Sequence, residues 1–255
     1  MEAISYEFPT NQQTRKFLRL EQLFKTIRGL VELTDSNAQK IALFRLVEIM
    51  DFFERNDVRG ELLKELDRLQ ISMNLLLNNP AVDSSKLSYF VTQLEKLNQV
   101  LSAESRAGDK LRNEPMITLA RQKWSLGATF CAFDSPAIAH FVASGSEVTQ
   151  SHLKYWLELI KVYRTSVNVI LRLYRESGDF QNFITQNLCY QEPIDNKVKL
   201  IGIKIPASIS YIPEVSAGAH RVCLQLKPSQ WKPSKLNNDP HESIEIQFAL
   251  AKYRA

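Results

Sequence analysis

Histidine and cysteine side chains are the residues in this chain best suited to metal binding or nucleophilic attack. They comprise four histidines and three cysteines, namely His140, His152, His220, His241, Cys131, Cys189 and Cys223. None of them falls in a C-x-x-C or H-E-x-x-H spacing, so neither a zinc site nor a metalloprotease motif is predicted. A cysteine–histidine pair that forms only in three dimensions stays open, although isolated residues of these types are more often surface or packing positions. We expect no bound metal and no cofactor.

Paired carboxylates are the next candidates for chemistry. In the segment ELLKELDRL, Glu61 and Glu65 are interleaved with Lys64 and Arg68, a spacing that forms ion pairs on a solvated helix face. Acid–base catalysis would require a desolvated cleft in addition. The chain has no G-x-S-x-G motif, and its 8 glycines show no spacing typical of a phosphate-binding loop. We therefore predict a protein that is not an enzyme and binds no nucleotide.

Basic residues give a more informative pattern. Arg15 and Arg19 lie one helical turn apart, where like charges repel by a few tenths of a kcal/mol, so the helix either tolerates this repulsion or uses it to attract an anionic partner. On a predicted strand, Arg221 and Lys227 share the solvent-facing side, which can receive a peptide carrying carboxylates. The overall charge of +4, from 32 basic and 28 acidic residues, is too balanced for a dedicated nucleic-acid binder. The residues alone indicate an interaction module.

Nothing in the sequence indicates export or membrane insertion. The opening MEAISYEFPTNQQ lacks the basic and apolar regions of a signal peptide, and no apolar run approaches the roughly 18 residues of a spanning helix. Three widely spaced cysteines fit a reducing compartment. We expect a globular protein of the cytosol, with no contact to a membrane.

Helical periodicity dominates the chain up to about residue 180. A first helix is expected after Pro9 with a capping box at residues 10–13, a second from a capping box at 36–39, and a third after Asp57. A last long helix is expected from about residue 147 to 176, with an apolar stripe broad enough for a central helix or one shared with a second subunit. Short connections between the early helices favour an antiparallel bundle.

Alternating polarity dominates the rest of the chain. Apolar residues alternate with polar ones in two segments, Val222, Leu224 and Leu226 in the first and Ile244, Ile246 and Phe248 in the second. A phase shift between Leu200 and Ile201 predicts a β-bulge near Gly202. Strands with one wet face are typical of antiparallel sheets. The expected fold is α+β, with an N-terminal α-helical bundle domain (1–180) followed by a C-terminal antiparallel β domain (181–255).

One segment carries a family resemblance. FFERNDVRGELLKELDRL (52–69), the signature segment, resembles the signature of the ZapD family of Z-ring-associated cell division proteins. Further similar segments follow in family order, namely FPTNQQTRKFLRLE, LRNEPMITLARQK (111–123), FCAFDSPA (130–137), the strand with Arg221 and IEIQFALA. The resemblance extends over nearly the whole chain.

The resemblance implies a function that the residues alone do not. It implies a homodimer without catalytic activity that binds FtsZ, the tubulin-like GTPase of the division ring, through the C-terminal tail of FtsZ. Two binding sites in one dimer would crosslink and bundle FtsZ filaments, and so promote assembly and stability of the Z-ring in the cytoplasm at mid-cell. Neither nucleic acid nor a membrane is an implied partner.

The resemblance also implies which residues contact FtsZ. Arg19 and Arg221 match basic positions of the family. Pro115 and Gln225 stand where relatives can carry a basic residue, so the basic surface is expected to extend to other residues of this chain, namely Arg112, Arg121 and Lys227. His140 follows the aligned histidine position by one residue, which on a helix corresponds to a rotation of about 100°.

The signature segment itself is expected to be largely structural. Its leucines are predicted to pack, and its charged residues Glu54, Arg55, Arg59 and Arg68 are predicted to form structural ion pairs or a dimer contact. Two other functions remain as alternatives. A single-stranded nucleic-acid binder would need aromatic residues beside the cations of the β face, and positions 221, 223, 225 and 227 supply none. A hydrolase would need a site assembled from distant residues.

Overall fold

The chain folds into two compact units. A computed structural model describes residues 2–76, 84–125, 131–230 and 245–254. One unit comprises residues 19–170 and is helical, and the other combines residues 1–18 with residues 171–255 and holds the strands. The predicted α+β class is confirmed, whereas domains with a boundary at residue 180 stay a prediction. No helix within the described ranges is long and apolar enough to cross a membrane.

The helices follow the apolar spacing of the sequence. The described residues form nine α-helices, which are α1 Gln12–Val31, α2 Ser36–Arg55, α3 Val58–Leu76, α4 Ser84–Ala103, α5 Asp109–Arg112, α6 Pro115–Ser125, α7 Pro136–Ala143, α8 Ser146–Leu159 and α9 Lys161–Glu176. Helix α2 contacts α6, α7 and α8, and α3 packs on α4. Ten residues of α2 are buried, which makes it a central helix of the helical unit.

Two predicted helix starts are displaced by one residue. Helix α1 is capped by Asn11 and not by Thr10, because the Asn11 Oδ1 accepts the N–H of Thr14 at 2.8 Å. Helix α2 is capped by Asp35, whose carboxylate accepts the N–H of Ala38 at 2.7 Å. A carboxylate or amide oxygen satisfies the unpaired N–H groups of the first turn as well as a serine or threonine does. The predicted start of α3 after Asp57 is confirmed.

The predicted helix from 147 to 176 is in fact two helices. Helix α8 ends at Leu159 and α9 begins at Lys161, and the residue between them, Ile160, has a backbone outside the helical range with φ −114° and ψ 16°. Neither glycine nor proline occurs between residues 147 and 177, so the usual sequence markers of a helix break are missing. The apolar stripe continues across the break, since Trp156, Ile160 and Tyr163 are all at most 2% exposed.

Two antiparallel sheets form the β unit. Their strands are β1 Ala3–Pro9, β2 Gln181–Ile184, β3 Cys189–Pro193, β4 Val198–Pro206, β5 Tyr211–Ala217, β6 Arg221–Pro228 and β7 Gln247–Arg254. One sheet has the order β1-β4-β7-β2 and the other β3-β6-β5. A single buried cluster contains side chains of both sheets, including Ile203, Phe248 and Leu224. The antiparallel arrangement predicted from alternation is confirmed.

Two predicted details of the strands can be compared with the structure, and one of them is displaced along the chain. On β6, Val222, Leu224 and Leu226 are buried as predicted. The predicted bulge exists, but the register shift lies between Val198 and Leu200 and not at Gly202. The apolar run Leu200 to Ile203 hides the position of the shift, because both faces of β4 are largely buried there.

Strand β1 was not predicted. It pairs with β4 from Ala3 opposite Pro206 to Pro9 opposite Leu200. Thr10, at the end of β1, donates from its hydroxyl to the Val198 carbonyl at 2.7 Å and from its N–H to the Lys199 carbonyl at 3.1 Å. The threonine therefore anchors the chain at the bulge of β4 and does not cap a helix.

Gly202 allows the close packing of an aromatic ring in the β unit. A Cβ atom at this position would lie 2.9 Å from the Tyr253 ring and 3.1 Å from Phe180. We expect Gly202→Ala to lower the free energy of unfolding by about 1–3 kcal/mol, because the added methyl must displace the buried Tyr253 ring. Urea titration followed by circular dichroism measures the loss.

The control for this variant is Gly29→Ala on α1, where a Cβ would meet no atom within 4 Å. Because alanine favours a helix over glycine, this change should leave stability unchanged or raise it by up to about 1 kcal/mol. Equal stability of the two variants would contradict the packing role of Gly202.

Candidate functional site

Arg19 is an exposed cation on α1. The buried side of the helix is formed by Leu20, Phe24 and Ile27, each at most 2% exposed, and Arg19 lies on the solvent side. Within the described residues, its guanidinium has no ion-pair or hydrogen-bond partner. Arginine offers a planar group of donors that matches a carboxylate. Arg19 is therefore free to bind an acidic group of another molecule.

Arg221 and Lys227 occupy the outer face of the sheet β3-β6-β5. Arg221 is exposed, lies opposite Pro193 of β3, and has no carboxylate partner in the described part of the chain. Lys227 is six residues away, about 20 Å along the strand, and its Nζ contacts the Glu214 Oε2 at 2.7 Å. Both side chains of that pair are at least half exposed, so the pair contributes little to stability. The two cations are too far apart to hold one carboxylate together.

Arg112 and Arg121 converge on the carboxylate of Glu54 inside the helical unit. Arg112 of α5 pairs with Glu54, and the Arg121 Nη1 donates to the Glu54 Oε1 at 2.7 Å. Arg121 also donates from Nε to the Asp51 Oδ1 at 3.0 Å. We call these four residues the Glu54 network. The site brings together two of the predicted arginines, but acids of the same unit already match their charges.

The pKa values in the Glu54 network follow from these hydrogen bonds. The hydrogen bond from Arg121 is the largest cause that lowers the pKa of Glu54, and partial burial opposes it. The same bond raises the pKa of Arg121. Glu54 is therefore ionised at neutral pH.

His140 stands apart from these residues. It is exposed in the last turn of α7, and its backbone carbonyl accepts the hydroxyl of Ser144 at 2.8 Å. Within the described ranges its ring has no carboxylate partner. His241 lies outside those ranges. Across the described ranges, no three His, Cys, Asp or Glu side chains are grouped closely enough to hold a metal ion.

Some of the ion pairs that the sequence predicts for the signature segment are present. Structural pairs are confirmed for Glu54, in its network, and for Arg68, which binds the Glu65 carboxylate. Arg59 instead donates to backbone carbonyls of α4, those of Leu101 at 2.8 Å and Ser102 at 3.0 Å. Sequence reasoning did not identify Asp51. Its position three residues before Glu54 places both acids on one face of α2, and this spacing is the sequence feature that could have identified it.

Comparisons with known proteins identify related chains. The model of the ZapD family, described as "Cell division protein", matches residues 18–225. A "Cell division protein ZapD" of Cronobacter sakazakii is 30% identical over 226 residues, which cover 88% of this chain and 91% of the relative. Proteins with the same description from Nitrosomonas eutropha and Escherichia coli O9:H4 are each 29% identical, over 97% and 96% of this chain and 98% of each relative.

The Glu54 network should contribute to stability in a pH-dependent way. We expect Glu54→Gln to lower the free energy of unfolding by about 2 kcal/mol near neutral pH, because two arginines lose a charged acceptor. The folded-state pKa of Glu54 lies below its ordinary value of 4.5, so this contribution is present above about pH 5 and is lost as the pH falls. Urea titrations of both proteins between neutral and acidic pH should therefore converge at the acidic end.

Glu48→Gln serves as the matched control on the same helix. Glu48 pairs with Arg45, but both side chains are about 40% exposed, so its loss should change stability by less than about 0.5 kcal/mol. A Glu54→Gln variant as stable as Glu48→Gln would contradict a structural role for the network.

Proposed function

Because the chain belongs to the ZapD family of cell division proteins, we propose that it binds the C-terminal tail of FtsZ and crosslinks FtsZ filaments. The family match over residues 18–225 and relatives that cover nearly all of the chain support a role in cell division. The exposed arginines Arg19 and Arg221, which have no carboxylate partners among the described residues, carry the proposal of a binding surface. Each can donate to a carboxylate of the tail.

The candidate residues differ in whether an acid of the chain already pairs with them, and this difference predicts their contributions to binding. A guanidinium that already binds an acid must give up that bond before it binds a partner, whereas an unpaired one gains a new bond. Arg112 and Arg121 are of the first kind, since Glu54 and Asp51 hold them. Lys227 has a solvated and replaceable partner in Glu214. Arg19 and Arg221 should therefore make the larger contributions, with Lys227 and His140 in supporting roles.

Crosslinking follows from two binding sites in one assembly. We propose a homodimer, so that each dimer holds two FtsZ tails and links neighbouring filaments. After one tail binds, the second binding event is effectively intramolecular, and weak single sites become strong along a polymer. The protein would act without catalysis, in the cytoplasm at the mid-cell division ring.

Reversing the charge at either exposed arginine tests the binding surface. We expect Arg19→Glu and Arg221→Glu each to weaken co-sedimentation with polymerised FtsZ by about tenfold, since a charge-assisted hydrogen bond becomes a repulsion. The helicity and thermal stability of both variants should match those of the original chain, because exposed charges contribute little to folding. Higher salt should weaken binding of the unaltered protein as well.

Exposed lysines elsewhere provide the controls for this experiment. Lys64→Glu in the helical unit and Lys197→Glu in the β unit make the same charge change at exposed positions. Pelleting should stay near its original level in both. An equal loss with the control variants would show that net charge, and not these two arginines, determines binding.

Removal of the tail from FtsZ tests the partner side. We expect the tail-less polymer to leave the protein in the supernatant and to stay unbundled, because the proposed contacts of the arginines are with the tail. Co-sedimentation with intact FtsZ filaments is the reference. Pelleting that persists with the tail-less polymer would contradict tail recognition, and a protein that pellets with neither polymer would contradict FtsZ binding altogether.

A further inference from the structure

The signature segment lines a cleft that the proposed FtsZ contact does not use. The cleft has a volume of about 330 Å³ and lies where α2 ends and α3 begins, opposite residues 105–107. Seven consecutive residues of the signature segment, 53–59, line it. All of its walls belong to the helical unit. We call it the junction cleft.

The acidic groups of the junction cleft already have partners. Glu54 is held by Arg112 and Arg121. Asp57 caps α3, since its Oδ1 accepts the N–H of Gly60 at 3.0 Å. A Cβ at position 60 would lie 2.2 Å from the other oxygen of Asp57, so glycine at this position allows the cap to form. Glu54 is held by arginines outside the lining, and Asp57 keeps its charge, so the lining carries three guanidinium groups against two carboxylates.

Among the residues that the structure describes, no carboxylate pairs with the basic groups of the junction cleft. Arg59 donates to the carbonyls of Leu101 and Ser102, which fixes its position and leaves its charge without a matching acid. Arg55 and Arg106 are exposed at the cleft, and neither has an ion pair or side-chain hydrogen bond within the described residues. Three guanidinium groups therefore line one small cleft, and two of them have all donors available.

The lining favours a carboxylate over a nucleobase. Phe53, the aromatic residue of the lining, is 5% exposed and packs on the Tyr163 ring with centroids 4.8 Å apart. It therefore offers no face on which a base can stack, and single-stranded nucleic-acid sites depend on such stacking. A volume of about 330 Å³ lies at the small end for bound molecules, and suits one or two acidic side chains. Guanidinium groups bind carboxylates in a two-pronged geometry.

We propose that the junction cleft binds an acidic peptide segment, with Arg55 and Arg106 as direct contacts and Arg59 as a positioning residue. Two carboxylate side chains of an extended segment bind the two free guanidinium groups. This site is separate from Arg19 and Arg221, and it does not depend on the identity of FtsZ as a partner.

A binding titration with an acidic probe tests the junction cleft. The probe is a short fluorescein-labelled peptide of alternating glutamate and serine, titrated with the full chain and followed by fluorescence anisotropy. We expect Arg55→Glu/Arg106→Glu to weaken binding by about tenfold or more, because charge-assisted bonds are lost. Arg55→Lys/Arg106→Lys should weaken it less, since lysine keeps the charge and loses the two-pronged geometry.

Two control variants separate the cleft from general electrostatics. Lys64→Glu/Lys96→Glu makes the same change in net charge at exposed positions of α3 and α4 outside the cleft lining. It should alter the affinity by less than about twofold. Arg19→Glu/Arg221→Glu should leave the probe bound even if it abolishes FtsZ pelleting, so the two proposals can fail separately.

Three results would overturn the proposal. The first is an equal loss of probe binding in the Lys64/Lys96 variant. The second is tighter binding of a single-stranded oligonucleotide of equal charge that is weakened by the same arginine changes, which would assign the cleft to nucleic acid. The third is unchanged binding in the arginine-to-lysine variant together with unchanged binding in the arginine-to-glutamate variant. Circular dichroism of each variant checks the fold, and the lysine variant remains informative if the glutamate variant does not fold.

Discussion

The ion pairing of the Glu54 carboxylate with two arginines is the interaction that joins the helices of the helical unit. It lies in the last turn of α2 and binds arginines from α5 and α6, so one side chain links three helices. Asp51, one turn earlier, holds the second arginine from another side. Removal of one member of a partly buried ion pair leaves the charge of the other without a partner, which destabilises the fold. The geometry of the turn into α3 therefore depends on electrostatics as well as on apolar packing.

The same network divides the arginines of the chain into two groups. Those that face acids of the helical unit, such as Arg112 and Arg121, contribute to its packing. Those without an acidic partner among the described residues, such as Arg19, Arg55 and Arg221, keep their donors available for other molecules. Net charge does not distinguish the two groups, since a chain of +4 can carry both. Only the positions of the acids show which arginines can bind a partner.

Sequence patterns predict the elements well where one physical signal dominates. Apolar residues at helical spacing predict α1 to α4, and alternation predicts β6, because in both cases one face is buried and the other is solvated. Strand β1 carries the same alternation, with Ile4, Tyr6 and Phe8 between polar residues, but the pattern is short and does not show that its partner β4 begins only at Val198. The break at Ile160 has no local marker, since the same apolar stripe continues on both sides of it.

The candidate sites show a similar limit. The exposure of Arg221 and Lys227 follows from strand alternation alone. The pairing of Arg112 and Arg121 with Glu54 depends on contacts between residues 58 and 67 positions apart, which no spacing rule encodes. The Thr10 side chain shows the reverse case. Threonine is a common helix cap, but this hydroxyl donates instead to the carbonyl of Val198, 188 residues later in the chain.

The pairing of β1 with β4 affects the order in which the protein folds during its synthesis on the ribosome. Residues 3–9 are synthesised before the helical unit, but their partner strand begins at Val198. The helical unit, residues 19–170, is complete in sequence before any other strand has been synthesised. Since domains fold during synthesis as soon as their residues are available, the helical unit can form while the first strand waits unpaired. A strand that is synthesised before the helical unit can thus pair only after that unit is complete.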